Sequence, residues 1–255
     1  EMLADPYWAE KVKKGAFEDI RPCIGCNECL LSGFSGKHYY CAVNPTCYAE
    51  KEYALPKPDG TKKSVLVIGG GPAGMSAAMT AKLRGYDAEL WEKSDQLGGT
   101  LWAAGGPDFK ADVLKLVQYM KVQCEKLGVD IKYNQEATAE NVKGGNFDRV
   151  ILAAGASPAV PPIPGIENAI IASDYLTHKA EAGKKVVVIG GGLAGTEAAC
   201  DIAPKADEVT IVEMLPDILV TSAHCLNNDQ HLRDMVKARG VNVVGGAKVT
   251  NIAAD

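Results

Sequence analysis

Five of the eight cysteines lie between residues 23 and 47, and three of these share one short loop. Their order is C-x2-C-x2-C, then one cysteine after eleven residues and another after five more. Three thiolates on one loop can hold one face of a cubane cluster while the fourth ligand comes from further along the chain. The spacing therefore predicts a [4Fe–4S] cluster, whose ligands are Cys23, Cys26, Cys29 and Cys41.

Two alternatives to this metal site stay open. Cys47 could replace Cys41 as the fourth ligand, although the Asn44-Pro45 turn would hold Cys41 rigidly. A structural zinc site is the second alternative, but zinc usually takes pairs of cysteines from two separated knuckles. Clustered cysteines in a chain without a secretion signal favour metal or redox chemistry over a disulfide framework.

The glycine pattern G-x-G-x-x-G occurs twice, at a constant offset of 121 residues. Between segments 65–78 and 186–199, ten of fourteen positions are identical. The first glycine allows a tight turn, the second lets the backbone approach a pyrophosphate, and the third lets helix and strand pack closely. The helix N-terminus adds unpaired N–H groups and a partial positive charge. The two copies predict two dinucleotide sites, at Gly69, Gly71, Pro72, Ala73, Gly74 and at Gly190, Gly192, Leu193, Ala194, Gly195.

A carboxylate follows the first glycine of each copy by 23 residues, Glu92 in the first and Glu213 in the second. An acid near this position hydrogen-bonds the ribose in dinucleotide-binding folds. Glu213 would repel a 2′-phosphate and no arginine follows it closely, so the second site is predicted to prefer NADH to NADPH. A glycine-rich turn in an α/β domain that binds no nucleotide is the alternative, and two complete copies argue against it.

Parallel strands and helices must position these motifs. The apolar runs 65–68 and 186–189 are short enough for buried parallel strands, and an alanine-rich helical segment follows each. Apolar periodicity predicts a helix over 109–127, with Cys124 in the core, and strands over 129–133 and 148–153. The predicted fold class is α/β, with two Rossmann-like, three-layer domains after a small cysteine loop.

Three segments are predicted. Residues 1–61 hold the cysteine loop and most of a polar, proline-rich linker that spans 55–63. Residues 62–160 form the first dinucleotide-binding domain, and residues 161–255 form the second. The first twenty residues are either one or two amphipathic turns or a frayed terminus.

The composition excludes several classes of function. A net charge of −5, a pI near 5.5 and no block of like charges argue against a nucleic-acid surface. No apolar run approaches the roughly 18 residues of a membrane span, and the N-terminus is not a signal peptide. We therefore expect a cytoplasmic protein without a membrane partner. His224 and His231 have no third ligand nearby, so no metal site is expected there.

The motif R-P-C-I-G-C-N, then C-A-V-N-P, a linker and the first glycine fingerprint together resemble one family throughout. It is the family of iron–sulfur flavoenzymes fused to an old-yellow-enzyme barrel, which includes 2-enoate reductase, 2,4-dienoyl-CoA reductase and trimethylamine dehydrogenase. In these proteins a barrel holds FMN, a cysteine loop holds [4Fe–4S], and two nested Rossmann-like domains follow. The resemblance covers essentially the whole chain, with residues 3–6 similar to the end of the barrel, but the barrel itself has no counterpart here.

The resemblance implies FAD at the first fingerprint and NADH at the second. It implies that Lys93 and Gly99 pass beside the FAD pyrophosphate, that Gly155 skirts FAD, and that Glu197 faces the nicotinamide. A plain turn at Gly99 and a solvated helix residue at Glu197 are the alternatives. No catalytic side chain is assigned.

The function implied by the resemblance is electron transfer from NADH through FAD and the cluster to FMN in the barrel. The substrate would be a small unsaturated acid or acyl-CoA, and the full-length protein a homo-oligomer. Amine dehydrogenation of the trimethylamine type and a non-catalytic zinc- and nucleotide-binding module are the alternatives. A dithiol reductase is disfavoured. Related disulfide reductases carry a cysteine pair just after the Gly98-Gly99 turn or a C-x-x-C motif in the second domain, whereas here residues 101–104 are L-W-A-A and Cys200 stands alone.

In the family, the chain returns to the FAD domain after the second fingerprint with a strand and a Gly-Asp turn. This sequence stops before such a segment. We therefore expect residues 1–255 to be a fragment of a longer polypeptide and to bind FAD poorly alone. The alternatives are a natural small subunit that pairs with other chains, and retention of both cofactors by the two Rossmann-like units.

Overall fold

The computed structural model describes residues 1–54, 58, 60–220 and 225–254. Part of the predicted linker at 55–63 lies outside these residues, as does His224. Among the described residues, no helix is long and apolar enough to cross a membrane.

Helices and strands alternate along most of the chain. The described residues form nine α-helices, which are α1 (Trp8–Lys13), α2 (Glu28–Phe34), α3 (Pro72–Leu83), α4 (Leu101–Ala104), α5 (Asp112–Lys126), α6 (Ala139–Gly144), α7 (Ala172–Leu176), α8 (Leu193–Ile202) and α9 (Leu226–Ala238). They also form seven strands, which are β1 (Ser64–Ile68), β2 (Asp87–Trp91), β3 (Asp130–Lys132), β4 (Arg149–Leu152), β5 (Lys185–Ile189), β6 (Glu208–Val212) and β7 (Asn242–Val244). Short 3-10 helices occupy Phe17–Asp19, Asp108–Lys110, Ile166–Asn168 and Ala203–Lys205.

The chain divides into two compact units, each with its own parallel sheet. The first unit contains Glu1–Gly25, His38–Trp102 and Asp112–Ala156, and its strand order is β3-β2-β1-β4. The second unit contains Cys26–Lys37, Ala103–Ala111 and Ser157–Asp255, with strand order β5-β6-β7. Parallel sheets with connecting helices confirm the predicted α/β class. The domain boundaries at residues 61 and 160 stay predictions.

The core of the first unit lies between its sheet and helices α3 and α5. Strand β1 is central, and Val67 is paired with Leu90 of β2 in the parallel register. Helix α5 contributes the apolar face that the sequence predicts, with its buried residues Val113, Leu116, Val117, Met120 and Cys124. Burial raises the pKa of the Cys124 thiol to about 12, so this cysteine is a core residue and not a reactive thiolate.

The edge strands differ from the sequence prediction. Strand β5 was expected to be buried, but Val187 is 62% exposed, whereas Val186 and Val188 pack on the core of the second unit. Successive side chains of a strand point to opposite faces, and α8 packs against β5 from one side. The prediction of a fully buried strand is therefore wrong for β5. Strand β4, which the sequence predicts over 148–153, forms at the sheet edge, and its Leu152 is 76% exposed.

The first twenty residues are ordered and hydrogen-bonded within the first unit. The Asp5 carboxylate is buried and accepts hydrogen bonds from Lys11 Nζ at 2.6 Å and from the N–H groups of Tyr7 at 3.0 Å and Arg21 at 2.8 Å. Burial would raise the pKa of Asp5, but these three donors outweigh burial and hold the pKa below its ordinary value. The structure thus favours the ordered alternative over a frayed terminus.

Candidate dinucleotide sites and cysteine segment

The first and third glycines of each fingerprint are required by the backbone. Gly69 has φ +106° and Gly190 has φ +100°, a region that favours glycine. A Cβ atom on Gly74 would lie 1.8 Å from the Gly69 carbonyl oxygen, and one on Gly195 would lie 2.0 Å from the Gly190 oxygen. The two copies therefore share one geometry, in which the third glycine, in the first turn of the helix, packs against the carbonyl oxygen of the first glycine.

The middle glycines are not required by the fold. Gly71 has φ −74° and Gly192 has φ −71°, values that any residue adopts. Apart from the adjoining residues, no atom of the described part of the chain lies within 4 Å of a Cβ atom built at either position. Both residues cap the N-terminus of a helix without a side-chain hydrogen bond to its N–H groups. An open space before unpaired helical N–H groups is the environment that a pyrophosphate needs, so both turns fit a dinucleotide.

Glu92 and Glu213, the two acids predicted to contact a ribose, also accept hydrogen bonds from the glycine turns. The Glu92 carboxylate accepts hydrogen bonds from Gly70 N–H at 2.7 Å and from the N–H and hydroxyl of Ser94, each at 2.8 Å. The Glu213 carboxylate accepts from Gly191 N–H at 2.6 Å and Leu215 N–H at 2.8 Å. A carboxylate offers about four acceptor positions, so each glutamate keeps capacity for a ribose hydroxyl.

Hydrogen bonding sets the charge state of Glu92. Burial would raise the pKa of this carboxyl, but the hydrogen bonds from Ser94 and Gly70 outweigh burial and hold the pKa below the ordinary 4.5. The resulting stabilisation is fully present above pH 4.5 and is lost as the pH falls through the lower folded-state pKa.

We expect Glu92→Gln to lower the free energy of unfolding by about 1–3 kcal/mol at pH 7, because buried N–H groups lose a charged acceptor. The difference from wild type should shrink as the pH falls below 4.5. Urea unfolding between pH 7 and pH 3 measures this difference, with the exposed Glu140→Gln as the control. A difference that is the same at every pH would contradict this role.

Three segments of the first unit meet at the Gly69–Gly74 turn. A Cβ atom on Gly69 would lie 2.4 Å from the Ala153 carbonyl oxygen, so the end of β4 packs against the turn. Gly99, with φ +53°, lies so close that its Cβ atom would be 3.1 Å from the Gly71 Cα. Gly155 has φ +73°, and none of the residues that the structure describes comes within 4 Å of its Cβ position except its chain neighbours. Lys93 is exposed. The proposed FAD contacts of these residues stay predictions.

Glu197 forms an ion pair that the sequence did not indicate. Its Oε2 lies 2.7 Å from Lys110 Nζ, and the two side chains are 18% and 27% exposed. Glu197 is on the first turns of α8, whereas Lys110 comes from the 103–111 segment of the same unit. No sequence pattern links Lys110 to Glu197, which is 87 residues away. The carboxylate is paired and largely covered, in contrast to a solvated helix residue.

The cysteines of the 23–47 segment differ in accessibility. Cys23 is exposed, the next three are half-buried, and Cys47 is only 7% exposed. Thiols with accessible surface fit the donor set of a cluster better than a core thiol. Among the residues that the structure describes, no group of three or more histidine, cysteine, aspartate or glutamate side chains is arranged to hold a metal ion. The ligand set Cys23, Cys26, Cys29 and Cys41 stays a prediction.

Two open glycine turns, each with a helix N-terminus and a buried glutamate, define a protein that binds two dinucleotides. The chain belongs to the pyridine nucleotide-disulphide oxidoreductase family, whose profile matches residues 63–255. This membership indicates FAD and NAD(P) as the dinucleotides.

Relatives with known activities confirm the resemblance to the old-yellow-enzyme-like flavoenzymes. The chain is 41% identical over 253 residues to a cinnamate reductase from Clostridium sporogenes, covering 98% of this chain and 38% of that protein. It is 34% identical over 257 residues to a bilirubin reductase from Mediterraneibacter gnavus, covering 100% of this chain and 40% of the relative. A solved structure of 2-naphthoyl-CoA reductase with 2-naphthoyl-CoA matches 99% of this chain, and 38% of its own, with a TM-score of 0.91 and 34% identity. The chain thus spans 38–40% of the length of these proteins.

Proposed function

We propose that this chain is the electron-transfer part of an NADH-dependent iron–sulfur flavoprotein reductase. FAD would bind at Gly69–Gly74, NADH at Gly190–Gly195, and a [4Fe–4S] cluster at the four cysteines named above. The observation that carries the proposal is the pair of middle glycines, Gly71 and Gly192, each of which leaves a space that the fold does not need. Bound flavin supplies the conversion between two-electron and one-electron transfer.

The chain's own residues bind and orient the dinucleotides. Helix α3 would direct its first N–H groups at the FAD pyrophosphate, and α8 would do the same for NADH. Glu92 and Glu213 would accept hydrogen bonds from the ribose hydroxyls while they hold the turns in shape. The Glu197–Lys110 pair would present one fixed polar group beside the second turn.

The substrate class is proposed from the relatives. A cinnamate reductase and a 2-naphthoyl-CoA reductase act on an unsaturated acid and on an aromatic acyl-CoA, as their names state. We therefore propose reduction of an activated C=C bond in an acid or acyl-CoA, with FMN in a barrel outside these 255 residues.

The experiment is an absorbance spectrum of the full-length protein, purified without oxygen, before and after the addition of excess NADH. We expect the flavin band to bleach, and iron and acid-labile sulfide to be present in equal amounts. A flavin that NADH does not bleach would contradict the proposal and favour an amine dehydrogenase, for which the amine is the reductant. Zinc without sulfide would favour a non-catalytic binding module.

The same titration tests the choice of cofactor. We expect NADH to bind at least tenfold more tightly than NADPH, about 1.4 kcal/mol, because Glu213 would repel a 2′-phosphate. Glu213→Gln should narrow this ratio, since the amide keeps an acceptor for the turn and removes the charge. Arginine is less informative there, because it would leave the N–H groups of Gly191 and Leu215 without their acceptor. Tighter binding of NADPH by wild type would contradict the assignment.

A further inference from the structure

The cysteine loop is held by a side chain from the far end of the sequence. Asn228, in the first turn of α9, donates its Nδ2 to the Cys26 carbonyl oxygen at 3.0 Å. Its Oδ1 accepts from Asn27 Nδ2 at 2.6 Å. Both ends of one amide are therefore used on two consecutive residues of the predicted cluster loop, and all three residues belong to the second unit.

The loop around Cys26 has a backbone shape that depends on such support. Gly25 has φ +64° and Asn27 has φ +58°, so left-handed residues stand on both sides of Cys26. Asparagine tolerates this conformation better than most residues. The turn places Cys26 just before α2, on which Cys29 lies.

Asn27 occupies the N-cap position of α2, but its side chain does not cap the helix. An asparagine at this position usually accepts a hydrogen bond from an N–H group in the first turn. Here its amide reaches Asn228 instead, while its carbonyl oxygen accepts from the N–H groups of Leu30 and Leu31. The two asparagines therefore join α9 to the loop at the cost of a local cap.

We propose that Asn228 is a positioning residue for the iron–sulfur cluster, acting through Cys26 and Asn27. The inference rests on the cluster assignment under the proposed function and names a residue outside the cysteine motif. Groups that hold metal ligands by hydrogen bonds usually change metal affinity by about 10- to 100-fold when they are removed. A loop with two left-handed residues that loses the Asn228 hydrogen bond to the Cys26 carbonyl would present its thiolates less precisely.

The test compares Asn228→Ala and Asn228→Asp with the neighbouring, exposed Asn227→Ala in the full-length protein, prepared anaerobically. We expect Asn228→Ala to lose iron to a chelator about 10- to 100-fold faster than wild type. Asn228→Asp keeps the acceptor for Asn27 but turns an oxygen toward the Cys26 carbonyl, so it should be at least as defective. The electron paramagnetic resonance spectrum and the cluster midpoint potential of the reduced protein should shift in both variants. Asn227→Ala should match wild type in each measurement.

Flavin content separates a local effect from misfolding, since both Asn228 variants should retain wild-type FAD. If Asn228→Ala holds its cluster and matches wild type in the rate of iron loss, the resonance spectrum and the midpoint potential, the positioning role is overturned. Equal loss of FAD and iron would also overturn it, because the defect would then be one of general folding. A wild-type protein without iron and sulfide would instead refute the cluster assignment itself.

Discussion

Gly71→Ala is expected to abolish FAD binding while the protein itself stays folded. The added Cβ would meet no atom within 4 Å from the described residues beyond its chain neighbours, and the backbone at this position suits any residue. In the proposed complex this Cβ would contact the FAD pyrophosphate at the N-terminus of α3. We expect FAD affinity to fall at least 100-fold, about 2.7 kcal/mol. The free energy of unfolding should change by about 1 kcal/mol or less, the scale of a weakened helix cap.

Gly74→Ala is the matched control, because it adds the same atom three residues later. Its Cβ would lie 1.8 Å from the Gly69 carbonyl oxygen, so the clash is within the protein. We expect this variant to lose about 3 kcal/mol of stability with or without FAD, the upper end of the usual cost of overpacking. In the full-length protein, flavin fluorescence measures FAD binding, and thermal unfolding of the apoprotein measures stability.

The second copy provides an internal comparison. Gly192→Ala should abolish bleaching by NADH while FAD stays bound, because its Cβ position is also open. If Gly71→Ala binds FAD normally, or if it unfolds the apoprotein as Gly74→Ala does, the space at Gly71 is not a pyrophosphate site.

Cys41→Ser is expected to remove the cluster, whereas Cys47→Ser should retain it. A [4Fe–4S] cluster needs four thiolates, so loss of one ligand should take iron from about four atoms per chain to near zero. Cys41 is half-buried, while Cys47 is 7% exposed and belongs to the hydrophobic core. A serine at Cys47 should lower stability through packing without a loss of iron.

The Asn44-Pro45 turn between these two cysteines is hydrogen-bonded to the rest of the first unit. Asn44 is 3% exposed and donates its Nδ2 to the Leu3 carbonyl oxygen at 2.9 Å, while its Oδ1 accepts from Thr46 Oγ1 at 2.9 Å. The Asn44 N–H donates to the Cys41 carbonyl oxygen at 3.3 Å. Iron and sulfide analysis of both serine variants settles the fourth ligand. Iron retained in Cys41→Ser and lost in Cys47→Ser would show that the assignment is reversed.

The fold class, the two turns and their helices could be read from the sequence because their causes are local. A glycine spacing and an apolar run are complete within about fifteen residues, and both predict the same strand–turn–helix. The acids Glu92 and Glu213 were found in the same way, by counting from the first glycine. Helix α5 followed from its apolar period, and Cys124 faces the core as that period requires.

The contacts that shape the sites could be found only in the tertiary structure. Lys110 and Glu197 are 87 residues apart, and Asn228 and Cys26 are 202 apart, so no periodic pattern joins either pair. The exposure of alternate side chains on β5 depends on which face of the sheet a helix covers, which an apolar run does not encode. A local pattern decides which element a segment forms. The hydrogen-bond partner of a polar side chain such as Asn228 depends instead on which distant segments the packed core brings together.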